Sequence, residues 1–289
     1  MTRFFCFGLL FIFSCDSPVE RKAVEIRNDD VAISYRLSGN GDTSIVFVHG
    51  WCINKEYWEY QQDALSSQYT VVSLDLGGHG QSGHNRDRWT IGEYAKDVIA
   101  VIDGLQLENV ILVGHSMGGE IILQTALSIP GKIVGFIGVD NFKDFVTSFT
   151  PKEEKEINAF LQNLKTNFDT TATRYTKLAL FPPGYKDTVS MIRVIRSIQE
   201  ADTIAAIKSL ESLMHFALKD SDMISRLSIP VHLIVSDYTN TDEETFRHTA
   251  KTGSSIRVIK GTGHYPMIEK PEEFTYLLRE TIHQIGKKQ

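Results

Sequence analysis

The stretch Asn109-Val110-Ile111-Leu112-Val113-Gly114-His115-Ser116-Met117-Gly118-Gly119 limits what this chain can fold into more sharply than any other. An apolar, β-branched run reads as a buried strand, and Glu120 to Leu127 reads as a helix that starts directly after it. A strand that becomes a helix within so few residues leaves no room for side chains at the crossing, so Gly114 and Gly118 flank the turn. Ser116 then sits at an exposed apex beside a helix N-terminus, a setting that suits a nucleophile. A glycine-rich turn of a nucleotide-binding unit would look the same locally, so the rest of the chain must decide.

Continuous apolar strands recur at Val31–Leu37, Ser44–Val48, Tyr69–Leu74, Lys132–Val139, Val231–Val235 and Ser255–Ile259. Helical spacing lies between them, at about Glu56–Leu65, at Ile91–Leu105 and from Pro271 to about Ile285. This alternation predicts an α/β fold with a mostly parallel central sheet covered by helices on both faces. From Asn141 to about His215 the alternation lapses into helical periodicity at Ile157-Phe160-Leu161-Leu164, Val189-Ile192-Ile195 and Ile204-Ile207-Leu210. Residues 142–215 are therefore expected to form an inserted helical cap, with 24–141 and 216–289 as the core. Phe142, Phe145, Phe149 and Phe181 are candidates for an apolar pocket, or for plain core packing.

With 289 residues the chain can bury one large core. A formal net charge of −6 and the lack of a basic stripe with interleaved aromatics give no support for nucleic acid as a partner. Of three cysteines only Cys52 falls in the folded part, where it reads as a small core residue. Met1-Thr2-Arg3 gives a positive start and Phe4 to Phe13 an apolar run, shorter than the roughly 20 residues of a membrane span but suited to a signal peptide. The end of this run, Ile12-Phe13-Ser14-Cys15, resembles a bacterial lipoprotein signal: 1–14 would be removed and Cys15 would carry lipid. Residues 15–23 would be a tether, and the protein an exported lipoprotein held at a membrane surface on the periplasmic or cell-surface side. An ordinary secretory signal and a buried first helix are the other readings.

A serine hydroxyl needs a base. Among nine histidines, His264 stands in the loop Gly261-Thr262-Gly263-His264-Tyr265-Pro266 directly after the last strand, at the edge where parallel sheets build their sites. His115 is expected to pack beside the nucleophile and His49 to bond backbone in its own loop. His79 is expected at the surface or on a pocket wall, and Asp75 to brace the loop that follows it. Acyl transfer also needs two donors for the developing oxyanion, here the backbone N–H groups of Met117 and Trp51.

Taken together, His49-Gly50-Trp51, Asp75-Leu76-Gly77-Gly78-His79-Gly80-Gln81-Ser82, Gly114-His115-Ser116-Met117-Gly118-Gly119 and Gly263-His264 resemble the α/β-hydrolase fold family, in its cap-bearing esterase and lipase-like branch. The resemblance runs from about Val24 to the C-terminus. It implies a serine hydrolase acting on an ester or similar small acyl substrate, without metal or organic cofactor. Carbon–carbon bond hydrolysis, peptidase and perhydrolase chemistry, or a non-catalytic small-molecule receptor, share the scaffold. The family often has arginine where Gly77 stands, a departure expected to affect loop packing. The triad acid usually follows the penultimate strand, but some members place it one strand earlier. Here that leaves Asp140 as the preferred acid and Asp237 as the alternative.

Overall fold

The computed structural model describes residues 24–28 and 30–287. The expectations for the signal segment, Cys15 and the tether lie outside them. Among the described residues eight strands form one sheet: β1 (Val24–Asn28), β2 (Val31–Ser38), β3 (Ser44–Val48), β4 (Thr70–Leu74), β5 (Val110–His115), β6 (Ile133–Val139), β7 (Val231–Ser236) and β8 (Ser254–Ile259). Their spatial order is β1-β2-β4-β3-β5-β6-β7-β8. The β1–β2 and β2–β4 pairs are antiparallel and the rest are parallel.

The helices are α1 (Glu59–Leu65), α2 (Ile91–Gly104), α3 (Met117–Ser128), α4 (Pro151–Thr166), α5 (Phe168–Tyr175), α6 (Thr188–Gln199), α7 (Thr203–Ala217), α8 (Asp220–Ser225), α9 (Glu243–Thr249), α10 (Pro266–Glu269) and α11 (Pro271–Gly286). A 3-10 turn at Lys55–Trp58 precedes α1, and a π-helical turn at Thr176–Leu180 follows α5. No helix of the described residues is long and apolar enough to cross a membrane.

β3 and β5 are buried along their whole length, as apolar strands covered on both faces must be. Order in the sheet matters for chemistry, because β3, β5, β6, β7 and β8 all run the same way. Their C-terminal ends therefore open on one edge of the sheet, where the following loops converge. Helices α4 to α8 all fall between β6 and β7. Thr150 starts α4 with a capping box, its hydroxyl accepting from Glu153 N–H while the Glu153 carboxylate accepts from Thr150 N–H.

Three features depart from expectation. The sequence reading starts the sheet at Val31, yet β1 adds an antiparallel edge strand, whose charged Glu25 and Arg27 hide its strand character. In α6 the periodicity is present but the face is not the one inferred: Val189 and Ile192 are exposed, whereas Val194 and Ile198 are buried. Helical structure also continues past the stretch read as far as about His215: α7 runs to Ala217, and α8 then packs against α3.

Candidate active site

Ser116 lies between β5 and α3 with φ 52° and ψ −125°. A non-glycine residue in this conformation costs roughly 1–3 kcal/mol and persists only where its surroundings hold it. They do so here. Ser116 N–H donates to the Val139 carbonyl at 3.0 Å, and the Ser116 carbonyl accepts from Gly119 N–H at 2.7 Å. The Asn141 amide donates to the carbonyls of Gly114 at 3.0 Å and Ser116 at 3.3 Å. The two glycines are required by close approach: a Cβ on Gly114 would lie 2.3 Å from the Gly118 oxygen, and one on Gly118 would lie 2.5 Å from the Val48 oxygen.

His264 leaves β8 in a loop held by several contacts. Its N–H donates to the Leu180 carbonyl at 2.9 Å. The Glu269 carboxylate accepts from the N–H groups on either side, Gly263 at 2.5 Å and Tyr265 at 2.8 Å. The buried His115 ring completes the loop, its Nε2 bonding the His264 carbonyl at 2.7 Å. That bond fixes the His115 proton on Nε2. Burial, with His264 beside it, holds the His115 pKa down at about 3, so the ring is neutral.

Asp140 ends β6, also at positive φ (49°), with its N–H donating to Ile234 of β7. Its Oδ2 lies 2.6 Å from His264 Nδ1. Its Oδ1 accepts from Ser236 N–H at 2.8 Å, Ser236 Oγ at 2.5 Å and Lys143 Nζ at 2.8 Å. Burial pushes this carboxyl up, but the His264 hydrogen bond and charge, with Lys143, outweigh it and hold the pKa at about 2. An ionised Asp140 accepts the Nδ1 proton of His264, which leaves Nε2 as the basic nitrogen. Asp237, the alternative acid, is exposed and spends its Oδ1 on Gly261 N–H at 2.8 Å. The carboxylate brought to His264 is that of Asp140.

Ser116, His264, Asp140, Trp51 and Met117 line one cavity of about 610 Å³. Met117 N–H is an orphan donor of the first turn of α3, and Trp51 N–H finds no acceptor among the described residues. The Trp51 indole does more than line the cavity: its Nε1 donates to Ala206 of α7 at 2.7 Å, which ties the loop after β3 to the helices above it. Phe142 and Phe149 line the cavity as well. Phe145 instead stacks on Phe246 and, partly buried, packs against the core, whereas Phe181 lies in the core between Tyr185 and Tyr265.

The remaining residues singled out in the sequence fall into structural places. Asp75 accepts from Gln81 N–H at 2.9 Å, Lys55 N–H at 2.8 Å and Lys55 Nζ at 2.5 Å. His49 accepts from Leu76 N–H on Nε2, so its Nδ1 donates to the Gly50 carbonyl. His79 is buried rather than at the surface, its ring tilted against His49 and edge-on to Tyr94. Cys52 is buried in the core. At Gly77, Arg86 fills the space a side chain would need, and it pairs with Asp97 through both guanidinium nitrogens at 2.8 Å.

Lys143, Ser236, Glu269 and the buried carboxyl pair Glu120–Asp220 carry no local signal and were not anticipated. In the last pair burial raises both pKa values, to about 8 for Glu120 and about 9 for Asp220, the latter also pushed up by Glu120. A folded-state pKa above the unfolded value means the folded chain holds protons that the unfolded chain releases. The resulting stability is present below about pH 4 and is lost as pH rises through 8 to 9. Glu120→Gln should therefore flatten the fall of Tm between pH 6 and pH 9; a variant as pH-sensitive as the parent in thermal melts would contradict this.

Comparison with known proteins bears on the fold. The family model for the alpha/beta hydrolase fold matches residues 43–184. The pimeloyl-[acyl-carrier protein] methyl ester esterase of Cronobacter sakazakii is 27% identical over 250 residues, covering 84% of this chain and 93% of that protein. The karrikin insensitive 2 receptor CA of Petunia hybrida is 23% identical over 266 residues, covering 87% and 96% respectively. A thermophilic esterase from Thermogutta terrifontis, solved with malate bound, superposes with a TM-score of 0.78 at 20% identity, covering 91% and 98%. The chain has the α/β-hydrolase fold, and residues 43–184 match the model of that fold family.

Proposed function

We propose that this chain is a serine hydrolase that cleaves a carboxylic ester or similar small acyl substrate through an acyl-enzyme. The observation that carries the reading is the 2.6 Å bond from His264 Nδ1 to an ionised Asp140, with Ser116 on the wall of the same cavity. Ser116 Oγ attacks the carbonyl carbon while His264 Nε2 takes its proton. Asp140 holds the ring in the tautomer this requires and stabilises the imidazolium. The N–H groups of Trp51 and Met117 donate to the oxyanion. His264 then protonates the leaving alcohol, and water, deprotonated by the same nitrogen, releases the acid and restores Ser116. The helices between β6 and β7 act as a cap that sets the acyl group accepted. The esterase relative supports ester cleavage.

A panel of p-nitrophenyl esters with acyl chains of increasing length tests this reading, with turnover expected at short to medium lengths. The receptor relative favours a second reading, ligand binding without turnover. Binding of every ester with hydrolysis of none would favour that reading over ours.

We further propose that Cys15 is lipidated and anchors the exported protein to a membrane surface. Cys15→Ala should lose both fatty-acid labelling and membrane retention; unchanged retention would refute the anchor.

A further inference from the structure

The cavity that holds Ser116 is apolar over the α7 side, where Leu210, Leu213 and Met214 face it, with one exception. Glu120, in the first turn of α3 and three residues beyond Met117, lines that same cavity although it is only 8% exposed. Its Oε2 is buried and has no hydrogen-bond partner among the described residues. Behind it Asp220, at the start of α8 and 5% exposed, has an Oδ1 in the same condition. Leaving a buried polar oxygen without a partner is unfavourable, and two neighbouring carboxylates out of water cannot both ionise. The pair therefore holds a proton, and it presents both a donor and an acceptor to whatever enters the cavity.

We propose that Glu120 is a specificity-determining residue that hydrogen-bonds a hydroxyl group on the acyl part of the substrate. This rests on the hydrolase reading above and names a substrate class for the same site. A hydroxyl both donates and accepts, so it matches a proton-sharing pair; a plain alkyl chain leaves the Glu120 oxygen unsatisfied. An anionic acyl group must shed its water against the same wall and finds no positive charge at this pair to meet it. An ammonium group must shed its water against the apolar wall, a cost a neutral hydroxyl largely avoids.

The test compares p-nitrophenyl esters of hexanoate, 6-hydroxyhexanoate and 6-aminohexanoate, on the parent chain and on Glu120→Leu, Glu120→Gln and Asp220→Asn. The parent should favour the hydroxy ester over hexanoate by about ten-fold in kcat/KM, mostly through KM, the effect of one hydrogen bond. Glu120→Leu should reverse that preference, and Glu120→Gln should retain part of it. Circular dichroism checks folding, and if Glu120→Leu fails to fold, the glutamine and asparagine variants carry the comparison. A parent ratio near or below one, a ratio that the Glu120 variants leave unmoved, or preference for the amino ester would each overturn the inference. Failure of the hydrolase reading looks different: none of the three esters is turned over by the folded parent chain.

Discussion

Ser116→Ala is expected to lower ester turnover by roughly 10⁵–10⁶-fold, because loss of the nucleophile removes the covalent route and leaves only the oxyanion donors and binding. Its effect on stability should be small. The residues that impose φ 52° are backbone partners, Val139 and Gly119, and the Asn141 amide, none of which touches the hydroxyl. Alanine meets the same backbone strain as serine, so Tm should stay within a few degrees of the parent. Steady-state kinetics on a p-nitrophenyl ester, with thermal melts of the same preparation, checks both halves. Turnover within ten-fold of the parent would remove Ser116 from the chemistry.

Asp140→Asn should cost roughly 10³–10⁴-fold in kcat, the scale expected when the histidine is no longer held in its working tautomer. The physical reason is visible in the contacts. Every partner of the Asp140 carboxylate is a donor: His264 Nδ1, Ser236 N–H, Ser236 Oγ and Lys143 Nζ. An asparagine amide must point its own N–H₂ at one of them in either orientation. If it faces His264, the ring takes the tautomer with the proton on Nε2 and no longer accepts from Ser116. If it faces the other side, Lys143 is left without its carboxylate partner.

Stability should also fall. A folded-state pKa near 2 against an ordinary value of 3.8 makes the ionised Asp140 worth about 2 kcal/mol to the fold. That contribution is present above pH 4 and is lost as pH drops toward 2, and the asparagine variant should lack it altogether. Asp237→Asn, by contrast, changes an exposed side chain whose amide oxygen can still accept from Gly261 N–H, and should leave kcat within about two-fold of the parent. Comparable losses in both variants would contradict the assignment of the acid.

How much of this was legible in the sequence depended on how local each feature is. Ser116 and His264 are each announced by a few neighbours, an apolar strand running into a glycine-flanked turn or loop. Asp140 and Asp237 both follow buried strands, and spacing alone could not choose between them. The choice is made across the sheet, where β6 and β7 pair so that Ser236 and Lys143 converge on Asp140. Glu269 turns back onto Gly263 and Tyr265 of its own loop, a fold-back that residue type alone does not announce. The Glu120–Asp220 pair depends on contact between α3 and α8, and Glu120 reads in sequence as an ordinary first-turn helix residue. In α6 the apolar positions wrap far enough round the helix that periodicity fits two faces. Packing against neighbours chose the one with Val194 and Ile198.

The central claim is that Ser116 is a nucleophile activated by His264 and Asp140. Its most direct test is labelling of the folded protein with a fluorophosphonate probe, followed by peptide mapping. The expected result is one adduct per chain, on Ser116, formed rapidly in the parent and in Asp237→Asn and far more slowly in His264→Ala and Asp140→Asn. Absence of an adduct on Ser116, or labelling as fast without His264 as with it, would contradict the account.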